Sequence, residues 1–374
     1  MRSTFALGVV VLAVAVLLTG SLVLQTDAST GPIPLNCNRA CLENVVNQYL
    51  AAVIAHDPKR APLSADAKYT ENDQVVSFGD GFWKTAQGRG KYTHIFADPE
   101  GGQVAFMGTM MEAGAPLLMS LRLRLELGRI TEVESVYVKP GVGGPNNIPA
   151  MDAPHVWEDY WFKSIPPAQR MSRQELIATA DGYFTGLQKN DGKGINGTGT
   201  YPFTNDCHRI ENGSPTTNVV PNPNAPPAAG RGGAGAPGGA APGGGRGAPA
   251  AGAVPTTPAA PPNPNINAFS MDCMSQFKLG YYFVVQNIHN RRYPVVDQER
   301  GIVWAHAIFD QGTVNSGILS TGERYTFQGF NRPSSILVTE AFLIENGKIR
   351  RVEMIGPGVI YHLNSPWPGG LSGN

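Results

Sequence analysis

Residues 62–72 read PLSADAKYTEN, and residues 202–212 read PFTNDCHRIEN, an offset of 140 (202 minus 62). Neighbouring segments repeat at other constant offsets: the helical runs 42–57 and 176–191 at 134 (176 minus 42), Asp98 and Asp297 at 199 (297 minus 98), and Glu126 and Glu345 at 219 (345 minus 126). Offsets that hold within an element and change between elements are what duplication followed by loop insertion produces. The sequence therefore predicts two copies of one domain.

Alternating side chains in the later part of the first copy indicate long strands. Leucines at every second position from Leu121 to Leu127 alternate with polar residues, the period of two expected of a half-buried strand. Segments 126–129 and 345–348 match hairpin turns between such strands. With a helix at the start of each copy, the pattern predicts an α+β fold in which each copy is a curved antiparallel sheet with helices on one side.

A chain of 374 residues is longer than one ordinary hydrophobic core requires. An insert at residues 214–267 is dominated by Gly, Pro and Ala. These residues cannot bury enough apolar surface to offset the entropy of ordering, so we predict that the insert is disordered. A connector at residues 141–171 is rich in large aromatic side chains and would be insoluble if they were exposed, so we expect it to pack across both domains and hold them as an internal pseudo-dimer. The predicted organisation is a signal peptide (1–28), a first domain (37–140), the connector (141–171), a second domain (172–356) containing the insert (214–267), and a tail (357–374).

The N-terminus indicates export. Arg2 precedes an apolar run over residues 5–24, and the polar residues after it end at Ala28, a pattern typical of a secretory signal cleaved after Ala28. If it stays uncleaved, the run is long enough to span a bilayer, so a membrane is a partner only in that case. We therefore expect a secreted, periplasmic or extracellular protein.

The net charge narrows the class of partner. Lys+Arg and Asp+Glu both number 29, which gives a formal net charge of zero. Such a chain lacks the basic field that binding to nucleic acid requires. The expected partner is a small-molecule or carbohydrate ligand, and no nucleic acid is expected.

Export also makes disulfides the expected state of the four cysteines. Three pairings are open in principle. Cys37 and Cys41 lie four residues apart at the start of the first helix, whereas Cys207 and Cys273 flank the insert, so we predict the pairs Cys37–Cys41 and Cys207–Cys273. The second pair would close a loop of 66 residues (273 minus 207), worth about 4 kcal/mol in the chain-entropy model.

The order of the motifs along the chain resembles that of a known family of folds. A helical run, the phrase SADAKYTEN at 64–72, the aromatic loop GFW at 81–83 and long strands with a GRI turn at 128–130 resemble the SnoaL-like, nuclear transport factor 2-like cone fold. The resemblance covers about 37–139 and 172–356, and the chain is also similar to an uncharacterised family of exported two-domain proteins. It implies two tandem cone-shaped domains. The superfamily holds isomerases, dehydratases, cyclases, epoxide hydrolases and non-catalytic binding domains, so the fold alone does not select a function.

Standard catalytic signatures are missing from the sequence. It contains no Gly-x-Ser-x-Gly elbow, no His-Glu-x-x-His and no phosphate-binding loop with Lys and Ser/Thr. What remains is acid–base chemistry in an apolar cavity, where desolvation shifts the pKa values of carboxyl and imidazole groups. We therefore predict a lyase or isomerase that needs no cofactor and no metal. The alternative is a non-catalytic module that binds a small molecule, a carbohydrate or another protein.

Comparison of the copies finds two ionisable residues where the first copy is apolar. At offset 199 His306 replaces Met107, and at offset 219 Glu340 replaces Leu121. His306 shares its predicted strand face with Trp304, which we place among the substrate contacts. We predict a proton-transferring pair in the second cavity, with His306 as the general base and Glu340 as its acid or orienting partner. Two alternatives remain: the pair is a purely structural hydrogen bond, or the register is off by one and Glu340 is solvated.

The repeated motif supplies further candidates. Tyr69 and Glu71 share one face of their strand, and Arg209 and Glu211 share the corresponding face in the second copy. We predict that these side chains line the two cavity mouths and contact substrate, with Glu211 in a catalytic role and His208 as an alternative base. In the other interpretation, the Glu-Asn sequence that closes each motif only ends a strand, because Asn tolerates turn geometry.

Overall fold

The computed structural model of the protein describes residues 33–141, 146–152, 159–220, 266–327 and 330–367. The predicted signal peptide, most of the predicted insert and part of the aromatic connector lie outside the described residues. Within the described ranges, no helix has the length and apolar character needed to cross a membrane.

The first domain begins with a helix that carries one apolar face and then alternates between short and long strands. Asn38 caps this helix through a hydrogen bond from the backbone N–H of Cys41. Its elements are α1 (Arg39–Ile54), β1 (Leu63–Glu71), β2 (Gln74–Val75), α2 (Phe82–Thr85), β3 (Ala86–Asp98), β4 (Gln103–Glu112), β5 (Ala115–Glu126) and β6 (Arg129–Val138), followed in the connector by α3 (Ile148–Asp152).

The second domain repeats this order with additions. Ser172 and Glu175 form a reciprocal capping box at the start of its first helix. Its elements are α4 (Arg173–Leu187), β7 (Phe203–Glu211), β8 (Ser214–Pro215), α5 (Cys273–Lys278), β9 (Val285–Asp297), β10 (Ile302–Gln311), β11 (Ser316–Ile318), β12 (Arg324–Thr326), β13 (Ser334–Glu345), β14 (Lys348–Ile355) and β15 (Gly358–Val359).

The strand bounds are consistent with the predicted duplication. β1 and β7 differ by 140, β3 and β9 and also β4 and β10 by 199, and β5 and β13 by 219, the offsets that the sequence gives. Both predicted hairpin turns are present, with two successive residues of positive φ at Leu127–Gly128 and at Asn346–Gly347.

Each sheet is mixed, so the prediction of a wholly antiparallel sheet is wrong. In the described residues the strand order is β2-β1-β6-β5-β4-β3 in the first domain and β8-β7-β14-β13-β10-β9 in the second, where β15 also pairs with β13. β1 runs parallel to β6, and β7 runs parallel to β14. The chain travels from the first strand to the far edge of the sheet before its hairpins return, so the last strand meets the first in the same direction. The α+β class is correct.

Three large clusters and one small cluster of buried side chains form the core of the described residues. α1 packs on β3 and β4 over one core, and α4 packs on β9, β10 and β13 over a second. A third cluster joins the outer faces of the two sheets and includes Trp161 of the connector together with Tyr92, Met107 and Trp304. Trp161 in the described part of the connector therefore contacts side chains of both domains.

Two equivalent aspartates exchange hydrogen bonds across the contact between the domains. Asp98 of β3 accepts from the backbone N–H of Val296 at 2.9 Å, and Asp297 of β9 accepts from the backbone N–H of Ala97 at 3.2 Å. The same contact is thus made twice, with the roles of the two domains exchanged.

Both predicted disulfides are present, Cys37–Cys41 and Cys207–Cys273. Beyond the second disulfide, the backbone N–H groups of Asn218 and Val219 donate to the carbonyl groups of Met271 and Phe269 at 2.9 and 2.8 Å. The two described ends that flank residues 221–265 therefore lie side by side.

Candidate functional site

A pocket opens into the interior of the second domain. Its empty volume is about 590 Å³ when the open mouth is included, and only a small part of that volume is wide enough for a water molecule. Most of its lining is apolar, and its ionisable groups are Arg209, Glu211, Glu340 and the two tyrosines Tyr281 and Tyr282. An apolar pocket with a few converging polar groups is the usual form of a small-molecule site.

Glu340 is the most perturbed carboxyl group at this pocket. Its side chain is 2 % exposed, and Oε2 has no hydrogen-bond partner among the described residues. Burial raises the pKa of Glu340 to about 8, although the nearby charge of Arg209 acts in the opposite direction; Glu211 adds to the rise and a hydrogen bond from Tyr183 lowers it. At neutral pH this group is mostly a carboxylic acid, which can donate as well as accept a hydrogen bond.

Arg209 fixes the polar end of the pocket. It lies on β7, is buried, and forms an ion pair with Glu211 two residues further along the same face. Its Nη1 donates to the hydroxyl of Tyr282 at 2.6 Å and to Oε1 of Gln276 at 3.2 Å, while the guanidinium lies 5.5 Å from the centre of the Tyr183 ring. The guanidinium is therefore held rigidly beside Glu340.

The predicted pairing of His306 with Glu340 is wrong. In the antiparallel register, His306 lies opposite Thr339, and Glu340 lies opposite Ala305. Directly opposed residues share a face and adjacent residues do not, so His306 and Glu340 point to opposite faces of the sheet. The alternative in which Glu340 is solvated is also wrong, because Glu340 is buried on the inner face.

His306 lies instead between the two domains. Its Nε2 is 3.5 Å from Oδ2 of Asp73 and 3.5 Å from Oε1 of Glu134, and all three side chains are buried. Burial alone would raise the pKa of Glu134, but the guanidinium groups of Arg292 and Arg122 outweigh burial and hold that pKa well below its usual range. The cluster joins charges from both domains at a distance from the pocket.

Two other predicted contacts also lie away from the pocket. Trp304 is buried between the sheets, where its Nε1 donates to Oγ of Ser120 at 3.0 Å. His208 is exposed on the outer face of β7, next to Asn218. The structure thus brings together Arg209, Glu211 and Glu340 and separates them from the predicted bases.

In the corresponding interior of the first domain, aromatic side chains pack around Glu71. Tyr69 and Glu71 face inward and the Tyr69 hydroxyl donates to Glu71, so the two side chains bind each other, and their contact with a substrate stays a prediction. Glu71 also accepts from the backbone N–H of Phe82 at 2.7 Å, and Trp83 beside it is fully buried. A Cβ atom on Gly81 would lie 2.4 Å from a Glu71 oxygen, and Gly81 has a φ of +58°, so only glycine allows this closure.

The Glu-Asn ending of the motif is a strand end in both domains. Asn72 and Asn212 have φ values of 46° and 48°, and each amide oxygen accepts a backbone N–H from the neighbouring last strand or the residue after it. The interpretation of these asparagines as turn residues is confirmed. It does not remove the preceding glutamates from the interior, because their side chains point inward.

The sequence comparison missed Tyr282, which lines the pocket, and Tyr183, which forms a hydrogen bond with Glu340. At the offset of 199 that aligns β3 with β9, Gly81 corresponds to Gly280 and Trp83 to Tyr282 (282 minus 83 is 199). The same offset, applied to the residues just before β9, identifies Tyr282. Tyr183 was aligned with Tyr49 but carried no signal that its hydroxyl reaches a buried carboxyl group.

Residues 169–356 match a family described as "Domain of unknown function (DUF8021)", which is just over half of the chain. The chain belongs to the DUF8021 family. The match covers the second domain, so the pocket of Arg209 and Glu340 lies within the region that defines DUF8021. No curated protein matches the chain.

Two solved structures are similar to parts of this DUF8021 chain. One is an NTF2-like protein of unknown function from Cytophaga hutchinsonii, 15 % identical, with a TM-score of 0.22, covering 26 % of this chain and 89 % of that chain. The other is AclR from Streptomyces galilaeus, described as a proposed hydroxylase, 18 % identical, with a TM-score of 0.22, covering 27 % of this chain and 81 % of that chain. Likenesses at that TM-score carry no argument about function.

Proposed function

We propose that the second domain is a cofactor-independent lyase or isomerase in which Glu340 transfers a proton to or from a small apolar substrate. The observation that carries the proposal is a buried carboxyl group with an unpartnered oxygen at a pocket whose lining is mostly apolar. General acid–base catalysis is most efficient when the pKa of the group lies near the working pH, and burial raises the pKa of Glu340 to about 8. His306 has no part in this site.

The neighbours of Glu340 suit that chemistry. Arg209 is a fixed cation that would stabilise negative charge developing on a carbonyl oxygen, and the hydroxyl of Tyr282 is held beside it. Glu211 balances the charge of Arg209, so that the pocket does not attract a permanent anion. The small free volume favours a compact substrate with one polar group.

The proposal is tested with a general probe of proton transfer, 5-nitrobenzisoxazole. The Glu340 carboxylate would take the proton from C3 while the ring N–O bond breaks, and the electron pair leaves on oxygen as a coloured cyanophenolate. We expect a rate that rises with pH around a midpoint near the Glu340 pKa of about 8. Glu340→Gln should lower the rate by about 10²-fold or more.

The matched control is Glu345→Gln, which changes the same residue type on the same strand at a partly exposed position and should leave the rate unchanged. A Glu340→Gln rate equal to that of the wild type would overturn the proposal. If the wild type binds the probe without turning it over, the proposed enzyme is replaced by the alternative, a non-catalytic module for a small apolar ligand. The aromatic side chains of Phe269, Phe327 and Phe330 in the pocket lining support that alternative.

We also infer that the two domains form an internal pseudo-dimer in an exported protein. In support, Asp98 ion-pairs with Arg173 of α4 at 2.7 Å, and the equivalent Asp297 ion-pairs with Arg39 of α1. Reciprocal contacts of this kind are what a two-fold interface makes. Two disulfides are the state favoured by an oxidising compartment outside the cytosol.

A further inference from the structure

We propose that His289, Asp310 and His362 form a binding site for a divalent transition metal, Zn²⁺ in the first place, at one end of the second sheet. Nε2 of His289 is 3.3 Å from Oδ1 of Asp310, and Nδ1 of His362 is 2.7 Å from Oδ2 of the same carboxylate. The three donor atoms lie within 4.8 Å of one another. The site is separate from the pocket of Glu340 and does not depend on the function proposed for it.

The three side chains come from different parts of the fold. His289 is on β9, Asp310 is near the end of β10, and His362 follows β15 in the tail. Asp310 points to the same face as His306 and Ile308, away from the pocket. The two imidazole rings lie 4.7 Å apart at 33° to each other, and both direct a nitrogen to the buried carboxylate.

His289 can offer Nε2 to an ion. Nδ1 of His289 lies 3.1 Å from the side-chain oxygen of Asn290, to which it can donate a hydrogen bond. In that tautomer the Nε2 lone pair faces the carboxylate of Asp310 at 3.3 Å, and a metal ion between the two groups would be coordinated by both.

The carboxylate is oriented by neighbours that leave it facing the histidines. Oγ of Ser335 donates to Oδ1 of Asp310 at 2.6 Å, Nδ2 of Asn287 donates to Oδ2 at 3.3 Å, and Ser335 in turn accepts the backbone N–H of His362 at 2.8 Å. Metal ligands are commonly held in this way by a second layer of hydrogen bonds.

The donor set and the geometry fit zinc with an open position. Two imidazole nitrogens and one carboxylate oxygen match the three protein ligands of catalytic zinc sites, whose fourth position is left to water or substrate. Donors about 2.1 Å from a tetrahedral ion lie about 3.4 Å apart, which the 3.3 Å between Nε2 of His289 and Oδ1 of Asp310 fits. Nδ1 of His362 faces the other carboxylate oxygen at 2.7 Å, so the His362 ring must move to complete the set. The His362 side chain is 57 % exposed, so its ring has room to move and the site is open to solvent.

The first domain lacks these donors. At the offset of 199, His289 corresponds to Gly90 and Asp310 to Met111. The proposed site therefore uses donors that only the second domain and the tail supply. The sequence did not lead us to expect a metal. Its ligands are too far apart in the chain to form a recognisable spacing motif.

The test uses the full-length protein without a histidine tag, first treated with a chelator. ZnCl₂ is titrated into this protein and binding is measured by calorimetry; in a second titration Co²⁺ replaces zinc and binding is measured by the visible spectrum. We expect one ion per chain and a zinc-dependent rise in Tm. His362→Ala and His289→Gln should each weaken binding by about 10-fold or more and abolish that rise. His56→Asn, at an exposed histidine outside the site, is the control and should bind as the wild type does.

Because His362 is exposed, its replacement should leave the fold intact, which circular dichroism checks. Binding that survives both His362→Ala and His289→Gln, or no binding by the wild type, would overturn the proposal. Binding lost in His306→Gln but kept in His362→Ala would also overturn it and place the ion between Asp73 and Glu134, the other described group of suitable donors.

Discussion

The interiors of the two domains differ at three equivalent positions, while the long strands around them correspond. The first domain has Tyr69, Trp83 and Leu121 where the second has Arg209, Tyr282 and Glu340, and Glu71 corresponds to Glu211. In the first domain the glutamate holds a loop whose aromatic side chains fill the interior. In the second it balances an arginine beside an open pocket.

The same fold therefore accommodates two interiors that are stabilised in different ways. A packed aromatic interior stabilises a fold, whereas a buried carboxyl group and guanidinium stabilise it only when they are paired. The first domain keeps the stable version of the interior. The second keeps the ionisable version and is braced by the first through a buried interface.

The largest expected effect comes from moving the carboxyl group into the closed interior. Leu121→Glu places a buried carboxyl group where the second domain has Glu340, but without an arginine at the position of Tyr69. We expect a loss of about 3 to 5 kcal/mol in the free energy of unfolding, measured in urea.

The reverse change, Glu340→Leu, is the control for that experiment. Arg209 keeps its partner Glu211, so the free energy of unfolding should equal or exceed that of the wild type. A Leu121→Glu variant that loses less than about 1 kcal/mol would show that the first interior accepts a carboxyl group as readily as the second.

The next effect is a pH dependence that belongs to one domain only. The folded-state pKa of Glu340 is about 8 and its ordinary value is 4.5, so the folded protein holds a proton that the unfolded chain has released. The contribution of Glu340 to the free energy of unfolding is therefore greatest below pH 4.5 and falls as the pH rises from 4.5 toward 8. Between pH 6 and pH 7.5 the wild type should lose about 2 kcal/mol more than Glu340→Gln.

That comparison is made by urea unfolding of both proteins at each pH, and only the difference between them is attributed to Glu340. Parallel curves for the two proteins would mean that the carboxyl group is ionised throughout. Glu71→Gln in the first domain should not remove the same pH dependence.

The smallest effect concerns the two equivalent hairpins. Leu127 occupies a left-handed conformation with a φ of 48°, and Asn346 occupies the same position with a φ of 51°. Asparagine tolerates this conformation better than leucine, and Leu127 is 88 % exposed, so little packing is lost on replacement. Leu127→Asn should stabilise the protein by about 0.5 to 1 kcal/mol, and Asn346→Leu should destabilise it by a similar amount, as thermal unfolding would show.

Much of the fold was predictable because repetition is visible in the sequence. The offsets identify the equivalent strands and the two hairpin turns, and the positions of the cysteines predict both disulfides; each agrees with the structure. The parallel pairing of β1 with β6 was not predicted, because strand direction at a sheet edge depends on the path of the whole chain rather than on local periodicity.

The candidate site was predicted in part. Arg209, Glu211 and Glu340 were found because each is a polar residue on an inward strand face or in the repeated motif. His306 was misplaced because β10 is buried on both faces, so its apolar pattern does not reveal which face meets the core and which meets the other domain. Only the register against β13 separates His306 from Glu340.

The side-by-side exit and return of the chain at Val219 and Phe269 has a consequence for the continuity of the protein. A cut anywhere between these points would divide the polypeptide without dividing the molecule, because the Cys207–Cys273 bond and the sheet would still join the pieces. Cleavage within residues 221–265 should therefore leave the pocket of the second domain in place, with one cystine and a strand ladder holding the two pieces together.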